Sequence, residues 1–289
     1  MLLKDALTSA VDRLTSARVG SPRMNAESLL MFTLGCDRAY LFAHPERELA
    51  AEEQARYQET LNQRAHGIPA QYITGHQEFW GMDFIVTPAV LIPRPETEHV
   101  IETVLQLSKE SDDGGRASSP GSFPRIVDVG TGSGCIALAL AKELPQAEIH
   151  ATDISPAALE IARANASRLQ FENRVHFHET DLLQGLDPGA FDFVVSNPPY
   201  VGESEEDQVQ LEVRKFEPRN AVFAGPKGLE VIERLLPQAR AALRPEGWLV
   251  MEISGAIANS VQRLLSGWRQ VRIANDLQGI SRVASAQNR

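Results

Sequence analysis

Residues 125–144 read RIVDVGTGSG-CIALALAKEL, and the architecture follows from them. RIVDV is a short apolar run rich in β-branched residues, the pattern of a strand buried on both faces. CIALALAKEL has the composition of a helix. Between the two stand Gly130, Gly132 and Gly134, where the absence of a Cβ lets the backbone turn tightly and approach a ligand. The same alternation continues outward. AEIHAT (147–152), RVHFH (174–178), FDFVV (191–195) and GWLVMEI (247–253) read as strands. Ser155-Pro156 opens a helix after the second strand, and VIERLLPQARAAL (231–243) forms another, with a kink expected at Pro237. Strands alternating with helices predict an α/β fold with a parallel sheet covered on both faces.

Upstream the signal is helical. Leu3, Leu7, Ala10 and Leu14 recur at three- and four-residue steps. Ser21-Pro22 opens a second helix, with Ser21 expected to cap it, and Ala26, Leu29, Leu30 and Thr33 continue a stripe. A third helix spans 51–66, with Tyr57 and Leu61 one turn apart and Gly67 placed to end it. EFWGMDFIVTPAVLIP (78–93) changes character and predicts a hairpin around Gly81. The expected division is a small N-terminal helical substrate-recognition domain over 1–75, a β-hairpin bridge over 76–93, and an α/β domain over 94–289. Within the last, a helix is expected near 96–107. SDDGGRASSPGSFP (111–124) reads as a flexible loop.

Composition removes several classes. In 289 residues, 38 acidic against 28 basic side chains leave a formal net charge of −10. That balance argues against a protein that coats bare nucleic acid. Hydrophobic residues at 43% and charged residues at 23% are ordinary globular usage, which excludes disorder for most of the chain. Two cysteines, Cys36 and Cys135, cannot build a disulfide framework or a cysteine-rich zinc site. No apolar run approaches membrane-span length, and the opening MLLKDALTSAVDR has charges where a signal peptide would have its apolar core. A cytoplasmic protein without membrane association is expected. His176 and His178 alternate on one strand without an evident third ligand, so no metal is expected.

The chemistry concentrates at strand ends. In a doubly wound sheet, the turn carrying Gly130, Gly132 and Gly134 lies at the carboxyl edge, where ligands bind. The dinucleotide pattern G-x-G-x-x-G would need glycine at Cys135, which disfavours a nicotinamide dehydrogenase. Asp153 ends the second strand and can accept both hydroxyls of an adenosine ribose. Asp181 and Leu182 follow the third strand; the carboxylate can accept from an adenine amino group and the leucine can pack on the ring. Directly after FDFVV comes Ser196-Asn197-Pro198-Pro199-Tyr200. A planar amide or aromatic amino nitrogen has a delocalised lone pair and is a poor nucleophile. The Asn197 side-chain oxygen and the Pro198 carbonyl can accept from its two N–H groups, orienting it toward an electrophilic methyl and stabilising the charge that develops. Pro198 and Pro199 stiffen the loop, and Tyr200 offers a ring face for stacking.

Gly130–Gly134, Asp153 and NPPY together resemble a class I S-adenosylmethionine-dependent methyltransferase of the amino-group-modifying kind. GHQEFWGMDF (75–84), LIPRPETE (91–98), FEPRNAVFAGPKGLEVI (216–232) and NDLQGISRV (275–283) narrow the resemblance to the HemK-type release factor glutamine methyltransferases, over nearly the whole chain. The resemblance implies methylation of the side-chain amide nitrogen of the glutamine in the Gly-Gly-Gln motif of bacterial peptide chain release factors, with S-adenosyl-L-homocysteine as coproduct. It implies a Rossmann-like, mostly parallel sheet of seven strands ending in an antiparallel hairpin. It implies that NPPY holds the glutamine and that Asn197 also borders the cofactor. It further implies that Gly130, Thr131, Gly132, Ser133, Gly134, Asp153 and Leu182 line the cofactor pocket. Leu182 stands where the family often carries an aromatic residue.

A DNA adenine-N6 methyltransferase is the competing expectation, because NPPY suits an exocyclic adenine nitrogen equally well. Such an enzyme must flip its base and hold a charged duplex. The acidic run Glu203-Ser-Glu-Glu-Asp207 just after NPPY is a poor neighbour for phosphate, so a protein partner without direct nucleic-acid contact is expected.

Overall fold

The computed structural model describes residues 1–113 and 123–289, so most of the loop expected over 111–124 lies outside the described residues. The chain divides into two compact units, one formed by Met1–His76 with Gln210–Phe216 and the other by Gln77–Val209 with Glu217–Arg289.

The first unit contains α1 (Leu3–Ser16), α2 (Pro22–Leu34), α3 (Arg38–Ala43), α4 (Ala51–Ala65) and α5 (Ala70–Thr74), joined by the later helix Leu211–Phe216. The expected stripes converge on one core of Leu3, Ala10, Leu14, Leu29, Leu30, Tyr57 and Leu61. Pro22 takes the first helical position of α2, but Ser21 does not cap it: its φ of +47° is left-handed, and its side chain makes no capping bond. A capping hydroxyl reaches the first-turn N–H groups from extended backbone, which Ser21 lacks. The Asn25 side chain instead donates to the Gly20 and Ser21 carbonyls. Arg64 is buried and donates to Asn25, to the Ile68 carbonyl and, at 2.6 Å, to Glu212, which fastens the returning segment to this unit.

The second unit begins inside the predicted hairpin, whose strands β1 (His76–Phe79) and β2 (Met82–Ile85) turn at Trp80 and Gly81, both at positive φ. Then follow a 3-10 turn (Pro95–Thr97), α6 (Glu98–Asp113), β3 (Arg125–Val129), α7 (Cys135–Glu143), β4 (Glu148–Asp153), α8 (Pro156–Arg168), β5 (Val175–Glu179) and β6 (Phe191–Ser196). After β7 (Val201–Gly202), the chain supplies α9 (Leu211–Phe216) to the first unit. It returns through α10 (Arg219–Val222), β8 (Phe223–Gly225), α11 (Glu230–Ala242), β9 (Leu243–Glu252), α12 (Ala258–Leu264), β10 (Arg269–Asn275) and β11 (Ser281–Gln287). Helix α11 runs through Pro237.

Among the described residues, seven strands form one sheet in the order β10-β11-β9-β6-β3-β4-β5. β11 is antiparallel to both β9 and β10, and the other pairings are parallel. Alternate residues serve opposite faces. Ile126, Ile149, Phe193, Val195 and Val250 pack with α6 and α7 on one face, whereas Val127, Val129, Val194, Leu249 and Met251 pack with α11 and α12 on the other. Burial on both sides explains why these strands read as unbroken apolar runs.

On β4 and β5 the expected histidine pair is extended by a third imidazole. His150 Nδ1 lies 2.9 Å from His178 Nε2, and His150 Nε2 lies 2.8 Å from Glu148. Burial holds His150 and His178 below the usual imidazole range. Among the described residues, no group of three or more His, Cys, Asp or Glu is arranged to hold a metal ion. Among them, too, no helix is long and apolar enough to cross a membrane.

Candidate active site

Sheet register brings the site together. Val129 on β3 pairs with Thr152 on β4 and with Ser196 on β6, and Ser196 pairs with Met251 on β9. The next residue on each strand is therefore Gly130, Asp153, Asn197 and Glu252, side by side at the carboxyl edge. The chain runs from β3 outward through β4 and β5, then returns to β6 on the other flank of β3. That reversal is the topological switch point at which open α/β sheets bind ligands.

On one side of the crevice lies the glycine turn. Gly130 N and Thr131 N donate to the Thr152 carbonyl, and Gly132 N donates to Asp153 Oδ2 at 2.9 Å. Gly130 and Gly132 have φ of +72° and +55°, and a Cβ on either would meet no protein atom within 4 Å. The space those missing side chains leave is available to a ligand. Gly134 has another function: a Cβ there would press on Ala162 and Leu138 at 3.3 Å, so its absence lets α7 and α8 pack closely. Asn165, fully buried on α8, donates to the Ser133 and Ile85 carbonyls and accepts from Ile85 N, fixing the turn from behind.

Beneath this turn, Asp128 is fully buried. Its Oδ2 accepts from the Thr131 hydroxyl at 2.6 Å and from Ala137 N, while Oδ1 has no partner among the described residues. Burial pushes its carboxyl up to about 7. Asp153 is also held above the usual range, chiefly by burial, against the opposing pull of the backbone N–H groups of Ser155 and Gly132. Cys135 borders the crevice, but burial drives its thiol up to about 12, so it is not a thiolate nucleophile.

On the other side is Asn197-Pro-Pro-Tyr200. The Asn197 Nδ2 donates to the Thr97 hydroxyl at 3.1 Å, Thr97 donates to Glu252 Oε2 at 2.5 Å, and the Tyr200 hydroxyl donates to Glu252 Oε1 at 3.0 Å. Glu252 is only 2% exposed, and burial raises its carboxyl above the ordinary range. Thr97 is delivered by its 3-10 turn, which Glu217 anchors by accepting from Ile92 N and pairing with Arg94. The exit of the loop is clamped where Val201 pairs with Phe223 and Gly202 with Gly225 in a short parallel ladder.

A cleft of about 290 Å³ joins the two sides. Gly130, Thr131, Gly132, Ser133, Asp153, Asp181, Leu182, Asn197 and Pro199 line it, with Thr97, Arg94 and Arg234. Among the expected site residues, Gly134 packs helices, the Pro198 ring is buried and outside the lining, and Tyr200 is anchored by its hydroxyl outside the immediate lining. The Asp181 carboxylate, expected as an acceptor for an amino group, is paired with Arg234. In the acidic run, Glu205 accepts from Gly202 N, and Glu206 holds Arg219 through two hydrogen bonds.

Residues 5–75 match the PrmC N-terminal domain, and residues 118–215 match the Methyltransferase small domain. A release factor glutamine methyltransferase from Koribacter versatilis is 55% identical over 98% of this chain and 97% of its own length. Relatives of the same name from Moorella thermoacetica and Rhodopirellula baltica are 41% and 40% identical, covering 100% and 92% of this chain and 99% and 90% of theirs. The chain belongs to the release factor glutamine methyltransferases. The hMettl16 catalytic domain, solved in complex with a 3′UTR hairpin, has a TM-score of 0.56 at 18% identity, covering 79% of this chain and 81% of that one. That likeness carries the class I methyltransferase fold expected for the family.

The sequence did not single out three residues that support the site: Glu252, Thr97 and Asn165. Glu252 had a usable signal, because it ends the apolar run of β9 at the same edge as Asp153 and Asn197. Thr97 lies within LIPRPETE, one of the strings that carry the resemblance, but nothing there marks its hydroxyl, and Asn165 is an ordinary helical asparagine until the fold supplies its partners.

Proposed function

We propose that this chain methylates the side-chain amide nitrogen of the glutamine in the Gly-Gly-Gln motif of bacterial peptide chain release factors. The methyl donor is S-adenosyl-L-methionine, which supplies an electrophilic methyl carbon on a sulfonium. The observation that carries this proposal is the setting of Asn197. With Nδ2 committed to Thr97, its oxygen is the end left to accept from a substrate N–H.

The residues present suit such a donor. The open floor at Gly130 and Gly132 accommodates a ligand without displacing protein atoms, and Asp153 stands beside it to accept ribose hydroxyls. Leu182 offers apolar packing for an adenine, and the Arg234–Asp181 pair borders the same end. On the acceptor side, Asn197 Oδ1 and the Pro198 carbonyl hold the two amide protons, aim the nitrogen and offset its developing charge. Because a sulfonium would leave as a neutral sulfide when its S–CH3 bond breaks, no residue need supply an acid, and the methylated amide would release one N–H proton to solvent. Asp153→Ala is expected to weaken S-adenosylmethionine binding by roughly 1.5–3 kcal/mol, the range for hydrogen bonds to a charged group. Calorimetric titration measures this directly, and an unchanged affinity would remove Asp153 from the site.

The names of the relatives favour the glutamine over an adenine, and the acidic segment after NPPY favours a protein over a duplex. The N-terminal helical unit is proposed to select the release factor without direct nucleic-acid contact, and this substrate places the reaction in the bacterial cytoplasm. The test is incubation with isotopically labelled S-adenosylmethionine and, separately, intact release factor and adenine-containing DNA, followed by mass spectrometry. Label on the glutamine is the expected result; label on adenine alone would overturn it.

A further inference from the structure

The hydrogen bonds linking Glu252, Thr97 and Asn197 have a direction. A threonine hydroxyl has one proton and can accept others. With Glu252 ionised, Thr97 must spend that proton on the 2.5 Å bond to the carboxylate. Toward Asn197 it is then an acceptor only, so the Nδ2 end of the amide turns to it and Oδ1 is left for a substrate. Protonation of Glu252 reverses every bond. The carboxylic acid donates to Thr97, the hydroxyl swings round to donate to Asn197, and the amide turns over to present an NH2. An NH2 cannot accept from a substrate N–H.

We propose that Glu252 is a positioning residue: through the Thr97 hydroxyl it fixes which end of the Asn197 amide faces the substrate. This rests on the acceptor role assigned above to Asn197. The geometry is suited to the task, because Glu252 and Thr97 are 2% and 1% exposed, so water does not compete for the chain of bonds. Tyr200 secures the other carboxylate oxygen, and its hydroxyl stays protonated because burial raises it. The remaining charged or titratable groups around Glu252 are Glu96, which disfavours its ionisation, Arg282, which favours it, and the neutral Cys135. Burial dominates, so the carboxyl titrates above the ordinary range. Turnover is therefore complete above that pKa and lost as pH falls through it.

The test compares wild type, Thr97→Val and Thr97→Ser, with intact release factor as substrate, by measuring kcat and KM across pH. A second readout without substrate follows the side-chain amide resonances of Asn197 in ¹⁵N-labelled protein over the same range. Thr97→Val keeps the shape of the side chain but cuts the relay. Its kcat is expected to fall about 100-fold, the scale associated with a misplaced reacting group, with little change in KM. The acid limb carried by Glu252 should vanish from its profile. Thr97→Ser restores the hydroxyl and should return both rate and limb. In wild type the Asn197 resonances should titrate with the acid limb, and in Thr97→Val they should not. Normal kcat with an intact acid limb in Thr97→Val would overturn the inference, as would a loss that serine does not rescue. If wild type leaves release factor unmethylated, the functional proposal fails, while the resonance titration still tests the relay.

Discussion

Replacing Asn197 by alanine is expected to lower kcat by roughly 100- to 1,000-fold, the scale measured when one preorganised group that stabilises developing charge is removed. The amide nitrogen of the substrate becomes cationic as the new bond forms, and Asn197 Oδ1 is placed to meet that charge without reorganising. The interaction strengthens toward the transition state, so its loss should appear in kcat much more than in KM. The side chain also holds Thr97 by its Nδ2, but no large core group is lost, and the fold should survive. Steady-state methylation of intact release factor, with a direct measurement of release-factor binding, separates the two effects. Near-normal turnover by the variant would contradict the acceptor role.

Gly228→Ala should be nearly as damaging, for a steric reason. Gly228 follows the strand that clamps the NPPY loop, and a Cβ there would lie 2.6 Å from the Tyr200 carbonyl oxygen and 2.8 Å from Gly202 N. Both are backbone atoms, so no rotamer change relieves the clash. The loop must move, and a displacement of roughly 1 Å at a reacting group can cost about 100-fold in rate. Gly228 also sits at φ +77°, where a side chain adds roughly 1–2 kcal/mol of local strain. Gly279→Ala is the matched control: its φ is +81°, but its Cβ would meet nothing within 4 Å. Both variants should lose thermal stability, by roughly 2–4 °C per kcal/mol for a domain of this size. Only Gly228→Ala should lose turnover, and equal activity of the two would sink the argument.

Much of the fold was legible because its signals are local. RIVDV, FDFVV and GWLVMEI are apolar because both faces of each strand are covered, and the helical stripes of the first unit recur as its core. The glycine turn and NPPY announce themselves through residue types that few other conformations tolerate. Other features were hidden for equally physical reasons. The edge strand β10, RQVRIAN, is largely exposed and so lacks an apolar pattern; the family resemblance supplied the terminal hairpin. Ser21-Pro22 is a good capping signal, but the left-handed backbone of Ser21 turned the hydroxyl away from the helix. The helical segment Leu211–Phe216 reads as part of the α/β domain, yet belongs to the first unit through the Arg64–Glu212 bond.

By itself the sequence determined the alternation of strands and helices, the ligand-binding edge and the chemical character of NPPY, because each depends on neighbours a few positions apart. Tertiary structure alone decided how those groups are held. Thr97 and Glu252 are 155 positions apart and meet because β9 lies beside β6, in a register that brings Glu252 level with Asn197. Hydrogen-bond polarity in a buried chain depends on which atoms face one another, and strand register sets that only when the sheet has formed.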